Sequence, residues 1–253
     1  MKKKKLSAVS LFSGAGGMDV GFEQAGIEVV CANEMDKMAA KTFAENHKKT
    51  RLIVDDINNI FPILEDYKGV DIVFGGPPCQ GFSVIGKMDP EDLRSQLIWS
   101  FLKAVEIIQP RAFVMENVKA LAFISKWKDV KEEYINRAKK LGYTCVPFIV
   151  NASEYGTPQK RERVFFVGIK NKENFEGEYL KLLEKQKSVA PTIRELFKDL
   201  GPAGTNKNPK TCTAKITFAE RPVMRRIPYD CLMFNGIGRP IDPDGYSRTI
   251  TAS

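Results

Sequence analysis

Leu6-Ser7-Ala8-Val9-Ser10-Leu11-Phe12-Ser13-Gly14-Ala15-Gly16-Gly17 is the stretch from which the fold is read. Residues 6–12 are mostly apolar and form a run too short for a helix, which predicts a buried strand. The glycines after it predict a tight turn, and residues to about 25 predict a helix. Strand, glycine turn and helix in that order can cradle a ligand. Gly14, Gly16 and Gly17 let the backbone approach closely, and the unpaired N–H groups at the helix start favour a carboxylate or phosphate. Glycines here can equally serve only the geometry of a βα turn.

Working outward, a second strand over 27–32 ends at Asn33-Glu34, where a ribose-binding carboxylate sits in nucleotide folds. Asp36 can cap a helix over 37–46. His47, the only histidine, reads as a surface helix end and not as a catalytic or metal-binding group. A third strand over 51–54 ends in Asp55-Asp56-Ile57, which offers acceptors to the exocyclic amine of an adenine. A fourth, over 70–74, runs into Gly75-Gly76-Pro77-Pro78-Cys79-Gln80-Gly81-Phe82-Ser83. Two glycines and two prolines end the strand before Cys79. In an open α/β sheet such a loop lies where ligands bind, so Cys79 is placed like a nucleophile, with a small buried hydrophobe as the alternative.

Residues 84–95 read as a loop able to close over a substrate, and 96–108 as an amphipathic helix stopped by Pro110. A strand over 111–115 leads to Glu116-Asn117-Val118, placing another carboxylate at a strand's carboxyl end. A helix over 130–140 and strands over 144–150 and 164–168 complete the alternation of a doubly wound α/β sheet. After residue 170 the composition changes to a Lys- and Glu-rich helix to about 187, a Gly/Pro/Asn loop over 201–210 and scattered short apolar runs. Residues 1–170 are therefore expected as one domain and 171–253 as a smaller region. In the latter, Lys215, Arg221, Arg225 and Arg226 are either a phosphate-facing set or a plain solvated surface.

The chain has 253 residues, 43% of them hydrophobic, and a net charge of +8, which suits a polyanionic partner such as nucleic acid. Lys2 to Lys5 read as a solvated, mobile start. Five widely spaced cysteines without a C-x-x-C pair suggest neither a disulfide framework nor a zinc site. No run approaches the roughly 20 apolar residues of a membrane span, and no signal-peptide core is present. A soluble cytoplasmic protein is expected.

Six segments, in order, resemble the cytosine-C5 DNA methyltransferase family: Leu11 to Gly17, Asn33-Glu34, Asp56-Ile57, Gly76 to Ser83, Met115 to Val118 and Gln159-Lys160-Arg161-Glu162-Arg163. The resemblance implies a Rossmann-like S-adenosylmethionine-dependent methyltransferase fold, with 1–170 as catalytic and cofactor-binding domain and 171–253 as a partial target-recognition region. It implies that Phe12, Ser13, Gly14, Gly16, Gly17, Glu34, Met35, Asp56, Ile57 and Pro78 hold S-adenosylmethionine. Cys79 would be the nucleophile, with Glu116 at N3 and the exocyclic amine of cytosine and Arg163 at O2. Arg161 would position Cys79 or a phosphate. Gln80, Ser83, Arg94 and Gln159 would meet double-stranded DNA, from which the target base must be flipped. The family usually has an acid where Ser10 stands. Its ninth and tenth motifs do not appear by Ser253, so half of a split enzyme, completed by a second polypeptide, or a truncated chain is expected. A restriction-modification methylase is the reading adopted. A non-catalytic DNA-binding relative and a family member acting on RNA are the alternatives. A nicotinamide oxidoreductase would have no use for Pro78-Cys79.

Overall fold

The computed structural model describes residues 5–78, 96–198, 224–226, 233–235 and 242–249. The chain falls into two compact units, 1–150 with 162–180 and 151–161 with 181–253.

The first unit begins with β1 (Ser7–Leu11), α1 (Gly17–Gln24), β2 (Glu28–Asn33), α2 (Lys37–Asn46) and β3 (Arg51–Ile53). It continues through the short α3 (Phe61–Leu64), β4 (Ile72–Gly75), α4 (Leu97–Ile108), β5 (Ala112–Val118), the short α5 (Ala120–Phe123), α6 (Lys128–Lys140) and β6 (Tyr143–Asn151). After β7 (Gln159–Lys160), which belongs to the second unit, β8 (Glu162–Lys170) returns to the first. Local sequence accounts for the element ends. Asp36 caps α2 by accepting from the N–H groups of Met38 and Ala39, as its position predicts. Gln109 closes α4 in a left-handed conformation just before Pro110.

Seven strands form one sheet in the order β3-β2-β1-β4-β5-β8-β6. From β3 to β5 neighbouring strands are parallel, whereas β8 runs antiparallel to β5. The chain builds outward from β1 to β3 and then crosses to β4 on the other side of β1, so the order reverses between β1 and β4. Ligands of open α/β sheets bind beyond the carboxyl ends of the strands at such a reversal. Here it brings together the glycine turn after Leu11 and the Gly75–Pro78 segment, with Leu11 and Gly75 opposite each other in the ladder. The approach is close: a Cβ on Gly75 would lie 2.1 Å from the Leu11 carbonyl oxygen.

The main core lies between the sheet and α3, α4 and α6, around Phe101, Phe113, Tyr134 and Phe166, all fully or almost fully buried. Phe113 stands opposite Gly168, and a Cβ there would fall 2.0 Å from the ring, so the glycine leaves room for the aromatic. On the other face α1 is fastened by Phe22 stacked on Phe74, ring centroids 3.8 Å apart. At the amino-terminal end of the sheet, the Asp71 carboxylate accepts from Ser7 N–H (2.9 Å) and from Arg111 Nη1 (3.0 Å), tying β1, β4 and β5 together.

The strand carrying Glu116 ends in Glu116-Asn117-Val118 as expected, and β8 pairs with it as far as Val118 opposite Arg163. One expectation is corrected. His47 is not a surface group. Its ring stacks on Phe43 at 4.4 Å and lies beneath Gly16, with its side chain 2% exposed.

In the second unit β11 (Ser247–Arg248) lies parallel to β7, and β9 (Met224–Arg226) pairs antiparallel with β10 (Met233–Asn235). α7 (Glu176–Lys185) carries the chain from the first unit into the second, where α8 (Ile193–Phe197) follows. Thr192 and Glu195 form a reciprocal capping box at α8, and Arg194 grips Asp244 through two hydrogen bonds of 2.6 and 3.0 Å. Lys187 lies between Glu154 and Glu184, whose carboxylates push its pKa upward.

Candidate active site

The glycine turn is held from both sides. Ser13 N–H donates to the Asn33 carbonyl (3.0 Å), and Gly16 N–H donates back to Ser13 (3.0 Å). Phe12 (φ 53°), Gly14 (φ 57°) and Gly16 (φ 90°) are all left-handed, which only the glycines adopt without strain. Nothing lies within 4 Å of where a Cβ on Gly14 or Gly17 would be, so the turn presents bare backbone to open space. Glu34 reaches it from the end of β2, accepting from Gly14 N–H (2.7 Å) with one oxygen and from Asp36 N–H (2.8 Å) with the other. A carboxylate accepts about four hydrogen bonds, so acceptor capacity remains for ligand hydroxyls.

Next to it, Asn33 is buried and donates to the carbonyls of Ile53 (3.2 Å) and Asp55 (2.8 Å), fixing the segment after β3. Asp56 there accepts from Asn58. Ile57 has its side chain in the core, so its backbone is what remains to face a ligand. Met35 and Val54 are 60% and 47% exposed, leaving apolar surface at the ends of β2 and β3. Bare turn, oriented acid and apolar surface fit an adenosyl group carrying an amino-acid tail.

Across the reversal, Glu116 and Arg163 share a face of the β5–β8 pair, with Arg163 Nε 3.0 Å from Glu116 Oε1 and each side chain about one-fifth exposed. Gly76 lies over this pair: a Cβ on it would come within 3.2 Å of Glu116 Oε2. Asn117 points to the opposite face, is buried, and donates to the Pro77 carbonyl (3.3 Å). It thus clamps the segment that leads to Cys79. Asn33 and Asn117 stand in segments that the sequence marks, and Val54 at the end of an expected strand, but the sequence assigns none of the three a role. Their burial or exposure depends on strands far apart in the chain.

Cys79, Gln80, Ser83 and Arg94 lie outside the described residues, as do Lys215 and Arg221. Pro78 is exposed at the edge of the described segment. Of the other thiols, Cys31 and Cys145 are buried. Burial pushes Cys145 up to about 12 and raises Cys31 as well, so both stay protonated and unreactive at neutral pH. Gln159 and Arg161 belong to the second unit, where Gln159 pairs with Ser247 and Arg161 N–H donates to Asn151 (3.2 Å). Among the described residues no cluster of His, Cys, Asp and Glu is placed to hold a metal ion, and no helix is long and apolar enough to cross a membrane.

Fold and site together define a Rossmann-like methyltransferase, an α/β sheet with its glycine turn and acid at the strand-order reversal. Residues 6–252 match the family of C-5 cytosine-specific DNA methylases, and the chain belongs to that family. Methyltransferases of this family take their methyl group from S-adenosylmethionine. Among relatives, the type II methyltransferase M.FnuDI of Fusobacterium nucleatum is 39% identical over 207 residues, 80% of this chain and 59% of that protein. M.NgoPII of Neisseria gonorrhoeae is 33% identical, over 82% and 61%. The chain thus spans about three-fifths of these relatives. M.AquIA of Picosynechococcus sp., 37% identical, is matched over 79% of this chain and 90% of its own length. The crystal structure of a protein described as a DNA modification methyltransferase of an E. coli prophage has the same fold, with a TM-score of 0.68, 23% identity, and coverage of 97% of this chain and 82% of that one.

Proposed function

We propose that this chain carries the cofactor-binding and catalytic part of a DNA (cytosine-5-)-methyltransferase of a type II restriction-modification system. The observation that carries the reading is the Glu116–Arg163 pair under Gly76, beside the clamped segment leading to Cys79 and across the strand-order reversal from the glycine turn. S-adenosylmethionine, when bound, supplies an electrophilic sulfonium methyl. Phe12, Ser13, Gly14, Gly16, Gly17, Glu34, Met35, Asp56, Ile57 and Pro78 hold it. The chain's own task is to make C5 of cytosine nucleophilic. The Cys79 thiolate adds to C6, and the displaced ring electrons become available at C5. Negative charge developing on the ring is met at N3 by the proton of the Glu116 carboxyl, whose other oxygen accepts from the exocyclic amine, and at O2 by Arg163. Once C5 carries the methyl, a base removes its proton, the electrons return to the ring, and the C6–S bond breaks. Arg161 positions Cys79 or a phosphate, while Gln80, Ser83, Arg94 and Gln159 contact DNA whose target base is turned out of the stack.

Residues 171–253 supply part of the target-recognition region. The chain spans 59% of M.FnuDI and 90% of M.AquIA. The test is transfer of labelled methyl from S-adenosylmethionine to unmethylated plasmid DNA, with Cys79→Ala as control. Cys79-dependent incorporation, by this chain alone or with the polypeptide encoded downstream, is the expected result. No incorporation under either condition overturns the reading.

A further inference from the structure

The polar group that the proposed chemistry leaves without a task is Asp19. It lies in the first turn of α1, two residues after the glycine turn, and is completely buried, with no hydrogen-bond partner of ordinary geometry for either carboxylate oxygen among the described residues. Buried carboxylates without partners are costly and rarely kept without a reason. Polar groups surround it: Ser10, His47 and Glu23 all act on its carboxyl. Ser10 of β1 faces it, 1% exposed, with its hydroxyl near enough to the carboxylate to interact with it though short of ordinary hydrogen-bond geometry. His47 adds a buried Nε2, also unpartnered, and Glu23 holds the other ring nitrogen at 3.2 Å. The imidazole is pressed against the underside of the cofactor turn: a Cβ on Gly16 would meet His47 Nε2 at 2.1 Å. Burial raises the Asp19 pKa, while Ser10, its own N–H and His47 pull it back, and Glu23 adds to the rise. The fold alone would be better served by an uncharged group there.

We propose that Asp19 is a positioning residue for S-adenosylmethionine, setting the glycine turn from beneath through the buried pocket it shares with Ser10 and His47. This rests on the reading of that turn as the cofactor cradle. The carboxylate draws the Ser10 hydroxyl and the His47 ring into one arrangement, and the Gly14–Gly16 backbone rests on that arrangement. Since acid and hydroxyl share one pocket from two elements, their order is exchangeable in principle: an acid on β1 with a hydroxyl on α1 preserves both charge and hydrogen-bonding capacity.

The test is binding of S-adenosylhomocysteine to the full chain by calorimetry, alongside the thermal unfolding midpoint. Asp19→Asn is expected to weaken binding about tenfold, the size of a lost hydrogen bond to a charged group, with a midpoint equal to or above that of the parent. Ser10→Asp alone places two carboxyls in one pocket and is expected to lower the midpoint. The double exchange, Ser10→Asp with Asp19→Ser, is expected to restore affinity to within about threefold of the parent. A purely structural role would lower the midpoint of Asp19→Asn and leave the affinity of the folded protein unchanged, which overturns the proposal. So does a folded double exchange that stays as weak as Asp19→Asn. A parent chain that binds no S-adenosylhomocysteine, alone or with the polypeptide encoded downstream, overturns the cofactor reading and this proposal with it.

Discussion

Asn117 shows how much of the site's geometry rests on one amide. Its Nδ2 donates to the Pro77 carbonyl while its Oδ1 accepts from Val118 N–H (2.9 Å), so one buried side chain joins β5 to the segment before Cys79. Asn117→Ala should cost about 1 kcal/mol in urea unfolding. It should lower methyl transfer more than S-adenosylhomocysteine affinity, because the clamp acts on the segment that leads to the proposed nucleophile, Cys79. Glu116 differs in kind, since it would touch the target base. Glu116→Gln keeps the shape but removes the charge facing Arg163 and the ability to carry a proton. Its kcat should fall by about 10²-fold or more, with the unfolding midpoint within a few degrees of the parent. Equal kcat in the two proteins would remove Glu116 from the chemistry.

At the scale of elements, glycines show where backbone must meet backbone or ring. Gly75→Ala would drive a Cβ into the Leu11 carbonyl, and no rotamer can relieve that contact. A loss of 3 kcal/mol or more is expected by chemical denaturation. Gly16→Ala meets a side chain instead, so combining it with His47→Ala should recover the steric part of its cost and leave about 1 kcal/mol of left-handed backbone strain. These contrasts also show what the sequence reveals. The strand, glycine turn and helix at the start, and the Asp36 cap, are legible because every interaction that forms them is local. The burial of His47 is not: it needs Phe43, Glu23 and Gly16 from separate elements. Nor does the strand ending in Val118 reveal its antiparallel partner, β8, which lies some fifty residues later. The Gln159 to Arg163 run reads as one motif, yet the boundary between the two units passes through it.

For the molecule as a whole, the two ends of the sheet respond oppositely to pH. At the amino-terminal end, Ser7 N–H, aided by Arg111, holds the Asp71 carboxyl below its usual value. An acid whose folded pKa is depressed stabilises fully above the unfolded value and loses that contribution as pH falls through the folded one. Asp71→Asn should therefore cost about 1 kcal/mol at pH 7, a difference that shrinks as pH falls below the usual carboxylate value, as followed by urea denaturation. Asp19, with its pKa raised, has the reverse sign: its presence disfavours folding increasingly as pH rises from the unfolded value through the folded one. Glu34 has a consequence for how the site fills. Because both its oxygens are already held by backbone N–H groups, the side chain has little rotational freedom left to lose on binding the ribose of the proposed cofactor. Association should then follow one fast phase whose rate rises linearly with ligand concentration, without the plateau that a slow rearrangement of the pocket would impose.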